Sequence, residues 1–129
     1  MIYLDSSVAV AHLLKEKRRP SDVFWNQQLV SSRLLEYEVW TCIHARRVEM
    51  ARADAVRELL DSIAFVELTP AALERALDPF PAGVRTLDAL HLASADYLRG
   101  LHQPVRIATY DKRMLAAAKS MNIPAFEPD

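Results

Sequence analysis

The sequence is poor in several residue types, and each shortage closes off a class of function. A single cysteine, Cys42, excludes an internal disulfide and a cysteine-based zinc site, and it suits a reducing, cytoplasmic setting. With two glycines in 129 residues there is no Gly-rich phosphate loop, and neither a G-x-S-x-G elbow nor an H-E-x-x-H pair occurs. No apolar run is long enough to span a bilayer, and the first residues carry an acid instead of the basic flank of a signal peptide, so neither a membrane nor export is expected. Charge of neither sign dominates. Lys and Arg number 16 against 17 Asp and Glu, a net charge of -1, so nucleic acid meets no global attraction and any such binding must rest on local patches. Repeats, low-complexity tracts and linkers are absent as well, and a chain of 14.6 kDa reads as one domain over 1–129.

What is present alternates short apolar strands with helices. Strands are expected at about 2–5, near Leu29-Val30, near Phe65-Val66-Glu67-Leu68 and at Val105-Arg106-Ile107-Ala108. Helices are expected at about 7–16, 34–47, 51–62 and 86–99, from Pro70 and from Asp111, with a short one at about 22–27 opened by Ser21-Asp22. The tail "IPAF" offers a further strand. This alternation makes an α/β fold with a mainly parallel sheet, in which all strands end on the same side and ligands gather at those ends.

Two acids fall at such ends. Asp5 closes the first strand, and Asp111 follows "VRIATY" at the start of the last helix. Each by itself is a good helix N-cap. Two corners on one rim, however, bring the carboxylates towards each other across a few strand spacings of about 4.8 Å, which capping alone does not require. A third acid comes from "LVSSRLLEYEVWTCIHARR". At 100° per residue, Leu34, Leu35, Val39, Cys42, Ile43 and Ala45 form one apolar arc that contains Glu38, whereas Glu36 falls outside it beside Arg47. A core-facing carboxylate needs a cation, a proton or a metal, or a place at the edge of the face where it reaches water. The fourth is Asp88 in "VRTLDALHLASADYLRG", placed in the first turn of an apolar helix for which Thr86 is the expected N-cap. On that helix His91 and Asp96 lie within reach of the Asp88 face. A lone histidine in an apolar helix is more often a hydrogen-bonded core residue, and Asp96 lies two turns further from the rim.

Four carboxylates without a matching Lys or Arg repel one another unless they protonate or hold cations. Acid-rich oxygen sites suit Mg²⁺ or Mn²⁺, and such ions activate water against a phosphodiester.

At these residues the sequence resembles a known family. "YLDSS", "SSRLLEYE", "RTLDALHLASA" and "ATYDKRMLAAAKSMNIP" occur in the order and at the approximate spacings of PIN-domain ribonucleases, in particular the VapC-type toxins of toxin–antitoxin pairs. The resemblance covers essentially the whole chain. It implies a three-layer α/β/α sandwich around a mainly parallel sheet, and an Mg²⁺- or Mn²⁺-dependent endoribonuclease. It places the catalytic, metal-holding quartet on Asp5, Glu38, Asp88 and Asp111, with the hydroxyls of Ser6 and Thr109 in support. It further implies an RNA substrate, a cognate VapB-type antitoxin that covers an apolar groove and the acidic site, and a homodimer. Where the family pattern has Gly near the end of the last helix, this chain has Asn122, the next-best residue for a left-handed cap.

RNA would be met by Lys15, Lys17, Arg18 and Arg19, with Arg46, Arg47, Arg52, Lys112 and Arg113 as further candidates, although a charge run can equally be a solvated face. Trp25 and Trp40 could stack bases, but packing in the core or an interface is the commoner use of Trp. Two other functions remain open to the residues: a PIN-like RNA-processing nuclease without an antitoxin, and a non-catalytic binding module whose acids are only helix caps.

Overall fold

A computed structural model describes all 129 residues. Strand β1 (Ile2–Leu4) lies inside a four-stranded, wholly parallel sheet of order β3-β2-β1-β4, beside β2 (Leu29–Ser32) and β4 (Arg106–Ala108), with β3 (Ala64–Val66) at the far edge. Period-two alternation sends the side chains of these short strands to two separate cores. Ile2, Leu4, Leu29 and Ala108 face one layer, made by α1 (Ser6–Leu13), α2 (Leu34–Ala45) and α3 (Glu49–Asp61), where Val8, Leu35, Val39, Ile43 and Val56 are fully buried. Tyr3, Val30 and Ile107 face the opposite layer, made by α5 (Thr86–Gly100) and α6 (Lys112–Ser120), through Leu92, Ala95, Met114 and Ala117. Helix α4 (Pro70–Leu77) packs on α5. The chain is thus an α/β/α sandwich.

The topology fixes where a site can form. Leaving β1, the chain turns into α1 on one face; leaving the adjacent β4, it turns into α6 on the other. A crevice must open between two neighbouring strands whose continuations part in this way, and it opens at their carboxyl ends.

Several expected boundaries move. The first helix was expected to reach about residue 16 but ends at Leu13, because Lys15 turns left-handed with φ 53° and its N–H, with that of Glu16, folds back onto the carbonyls of His12 and Ala11. Thr86 is not the cap of α5. Arg85 holds the extended cap conformation, and its carbonyl already accepts from Ala89 N–H at 2.8 Å, so Thr86 is the first helical residue. The third strand spans Ala64–Val66 and stops short of Leu68. The tail contributes only one bridge, Ala125 to Ile107, since Pro124 has no N–H to extend the ladder.

With so little glycine, four helices close on other residues in the left-handed region: Lys15, Arg47, His102 and Asn122, at φ 53–62°. In each, the next N–H reaches five residues back: Glu16 to Ala11, Val48 to Ile43, Gln103 to Leu98 and Ile123 to Ala118. A Cβ in this region costs about 1–2 kcal/mol, partly offset because glycine is freer in the unfolded chain. Lys15→Gly, Arg47→Gly and His102→Gly should therefore each stabilise the protein by about 0.5–1 kcal/mol in urea denaturation, and Asn122→Gly by less.

Candidate active site

The crevice holds a cleft of about 740 Å³ whose polar wall includes Asp5, Ser6, Ser7, Glu38, Arg85, Asp88 and Asp111. The four acids come from four elements: the end of β1, the second turn of α2, the first turn of α5 and the cap of α6.

Asp5 is only 4% exposed. Its Oδ2 accepts from Ser7 Oγ at 2.6 Å and Thr109 Oγ1 at 2.8 Å. Those hydroxyls are aimed by the corner after β4, because Tyr110 N–H donates to Ser7 Oγ at 2.9 Å and Asp111 N–H to Thr109 Oγ1 at 3.0 Å. The capping bond to Ser7 N–H, at 3.4 Å, is the longest of the three that Asp5 accepts. Asp5 is therefore held chiefly by side chains that bind the β1 and β4 corners together. Ser7 was missed by sequence reasoning; the second hydroxyl of "DSS" was the only signal for it.

Glu38 lies at the edge of the core. Its Oε2 accepts from Ser6 Oγ at 3.2 Å, and its Oε1 meets Nε2 of the fully buried His91. Part of the expected apolar arc of α2 proves to face the cleft: Cys42 and Ala45 line it, as do Thr41 and Tyr37. Glu36 points elsewhere, paired with Arg33.

Asp88 and Asp111 do not lack a cation. Arg85 Nη2 donates to Asp111 Oδ2 at 2.8 Å and Arg85 Nε to Asp88 Oδ2 at 3.4 Å, which corrects the expectation of an acid cluster with no basic partner. Nothing in periodicity marks Arg85, because it precedes its helix and acts across to another element. Asp111 Oδ1 caps α6 through the N–H groups of Arg113 and Met114. Burial raises the pKa of Asp88, and the charges of Asp111 and Asp5 raise it further, against the pull of Arg85.

Asp96 stands apart from the cleft. Burial alone would raise its pKa, but hydrogen bonds from Arg99 at 2.7 Å and Arg75 at 2.8 Å outweigh that and hold it below the ordinary value. Trp25 packs on Phe24 and His12, and Trp40 stacks on His44 beneath Arg57; the aromatic residue that lines the cleft is Tyr37, 66% exposed. Of the basic run, Arg18 lies over the Tyr110 ring and pairs with the tail acids Asp129 and Glu127. Arg85 is the one basic side chain in the cleft wall.

Residues 2–120 match the PIN domain family, so the chain belongs to that family. Among curated proteins it is similar to Ribonuclease VapC46 of Mycobacterium tuberculosis (strain ATCC 25618 / H37Rv), with 35% identity over 98% of this chain and 97% of the relative. It is also similar to Ribonuclease VapC47 of Mycobacterium tuberculosis (strain CDC 1551 / Oshkosh), with 27% identity over 99% of this chain and 97% of that protein.

The raised pKa of Asp88 has a sign that can be measured. The folded state binds this proton more tightly than the unfolded chain, so the contribution to stability is complete below the ordinary value of 3.8 and is lost as pH rises through the raised one. In metal-free buffer Asp88→Asn should flatten that part of the fall in denaturation profiles as pH rises above the ordinary value of 3.8, and Arg85→Gln should steepen it.

Proposed function

We propose that this protein is a divalent-metal-dependent endoribonuclease, the toxin half of a VapBC-type pair, acting in the cytoplasm. The observation that carries this reading is the meeting of Asp5, Glu38, Asp88 and Asp111 in one cleft at the switch point between β1 and β4. Relatives named ribonucleases, matched along nearly their whole length, support the substrate class.

The donor chemistry fits Mg²⁺ or Mn²⁺, since the wall offers carboxylate and hydroxyl oxygens and no soft ligand other than Cys42. Asp5 Oδ1 and Asp88 Oδ1 accept no hydrogen bond from the protein, and Glu38 Oε2 has only the long one from Ser6. As arranged, no three His, Cys, Asp or Glu side chains stand close enough together to enclose an ion. Like charges spread when their only countercharge is one guanidinium, 62% exposed. Asp5, Glu38 and Asp88 would hold the ion, joined by Asp111 once Arg85 turns away. The bound ion supplies a Lewis acid and an activated water for attack on the phosphodiester. The chain's own residues do the rest. Ser7 and Thr109 keep Asp5 fixed, Arg85, once released from Asp88 and Asp111, can pair with a backbone phosphate, and the exposed Tyr37 ring offers a base a stacking face. Lys112 and Arg113, beside Asp111, and Lys15, Lys17 and Arg19 are exposed cations for the rest of an RNA strand, joined by Arg18 if it leaves the tail acids. A groove between α4 and α5, lined by Leu73, Leu77, Phe80 and Leu90, leaves Leu77 86% exposed and supports a protein partner, a VapB-type antitoxin or a second copy.

Capping accounts for Asp5 and Asp111, and the helix dipole for Asp88, but neither accounts for Glu38 or for the meeting of all four in one cleft. Asp5→Asn and Asp88→Asn should each reduce Mn²⁺-supported cleavage of an RNA by more than about 100-fold and abolish the Mn²⁺-induced rise in melting temperature. Glu36→Gln should leave both unchanged. Wild-type cleavage by Asp5→Asn, or no cation effect on melting of the wild type, would refute the metal assignment.

A further inference from the structure

Behind Glu38 runs a line of buried hydrogen bonds that capping and acid clustering do not explain. Ser32 N–H, at the end of β2, donates to the Tyr3 hydroxyl at 3.1 Å. Tyr3 is wholly buried, and its oxygen lies 2.7 Å from His91 Nδ1. The other ring nitrogen, Nε2, meets Glu38 Oε1. The direction of these bonds follows from the donors. The Ser32 amide can only donate, so the Tyr3 oxygen accepts there and has its hydrogen free for His91. At the other end the Glu38 carboxylate can only accept, so Nε2 carries the ring hydrogen, and in a neutral ring Nδ1 then accepts from the Tyr3 hydroxyl. The hydroxyl hydrogens of Ser31 and Ser94 go to the Leu4 and Leu90 carbonyls, so neither competes with the Ser32 amide for the Tyr3 oxygen. Burial pushes the Tyr3 phenol well above its ordinary value, so it stays a donor.

We propose that Tyr3 and His91 are positioning residues for Glu38: a relay fixed at the Ser32 amide clamps Glu38 Oε1 and turns Oε2 to the cleft. The inference rests on the metal-site reading given above. A glutamate has three side-chain torsions to lose, and no Lys or Arg holds this one. A hydrogen-bond partner behind a ligating carboxylate has a known order of effect, about 10–100-fold in metal affinity. The relay explains why a polar pair, Tyr3 and His91, occupies the middle of a core that otherwise packs Leu92, Ile107 and Met114.

The test begins on metal-free protein labelled with ¹⁵N-histidine. Long-range proton–nitrogen correlation at neutral pH should show His91 as a single tautomer protonated at Nε2; a ring protonated at Nδ1, or at both nitrogens, would overturn the relay. Mn²⁺ alone is then titrated calorimetrically. Tyr3→Phe and His91→Leu should each weaken Mn²⁺ binding about tenfold while leaving the KM for RNA unchanged. His91→Gln, whose side-chain N–H can donate to Glu38 while its oxygen accepts from Tyr3, should restore binding to within about threefold. It also serves if Tyr3→Phe does not fold. Unaltered Mn²⁺ affinity in His91→Leu, or no rescue by Gln, would refute the positioning role. A wild-type protein that binds Mn²⁺ yet cleaves no RNA would refute the nuclease reading and leave the relay standing.

Discussion

A buried carboxylate at the end of an inner strand governs much of this molecule. Asp5 cannot sit 4% exposed without donors, and the donors it has, Ser7 and Thr109, are held in turn by the amides of Tyr110 and Asp111. Satisfying one charge therefore ties the corner after β1 to the corner after β4. That tie places Asp111 beside Asp5, and the first turn of α5 brings Asp88 into the same field. The charge network and the strand order are two descriptions of one arrangement.

The same economy appears in the rest of the cleft. Each acid has at least one oxygen anchored by a neighbour: Glu38 by His91, Asp111 by the first turn of α6, Asp5 by its two hydroxyls, and Asp88 by Arg85, with Ser6 and Arg85 also touching the second oxygens of Glu38 and Asp111. Anchoring one oxygen fixes the orientation of the other at little entropic cost when a ligand arrives. Arg85 differs from the other anchors because it is exposed and spans two acids. It can leave without disturbing the core.

Much of this was legible in the sequence because it follows from local rules. Strand ends place Asp5 and Asp111 on one rim, and a 100° projection puts Glu38 in an apolar arc. The residues that escaped are those whose partners lie across the fold. His91 was legible as a core histidine, yet its partners, Tyr3 and Glu38, are 88 and 53 residues away. Arg85 was invisible as the partner of Asp111, 26 residues on, because periodicity describes which way a helix face points and says nothing of what stands opposite. The helix boundaries failed for a related reason. Lys15 has no propensity for a left-handed turn; what closes the helix there is the return of the Lys15 and Glu16 N–H groups to the carbonyls of His12 and Ala11. Thr86 is a better cap by residue type than Arg85, but the extended backbone and the first helical carbonyl are those of Arg85.

The pairing of β1 with β4 also sets a schedule. The first strand of the chain must wait for one of the last, since Thr109 reaches back 104 residues to Asp5. A chain growing from its amino end can bury α1, α2 and α3 against β1 and β2 early, but it has no complete cleft until β4 docks. The four acids can therefore share one cleft only when synthesis is nearly finished, and a chain truncated before residue 106 lacks both β4 and the Thr109 hydroxyl that holds Asp5.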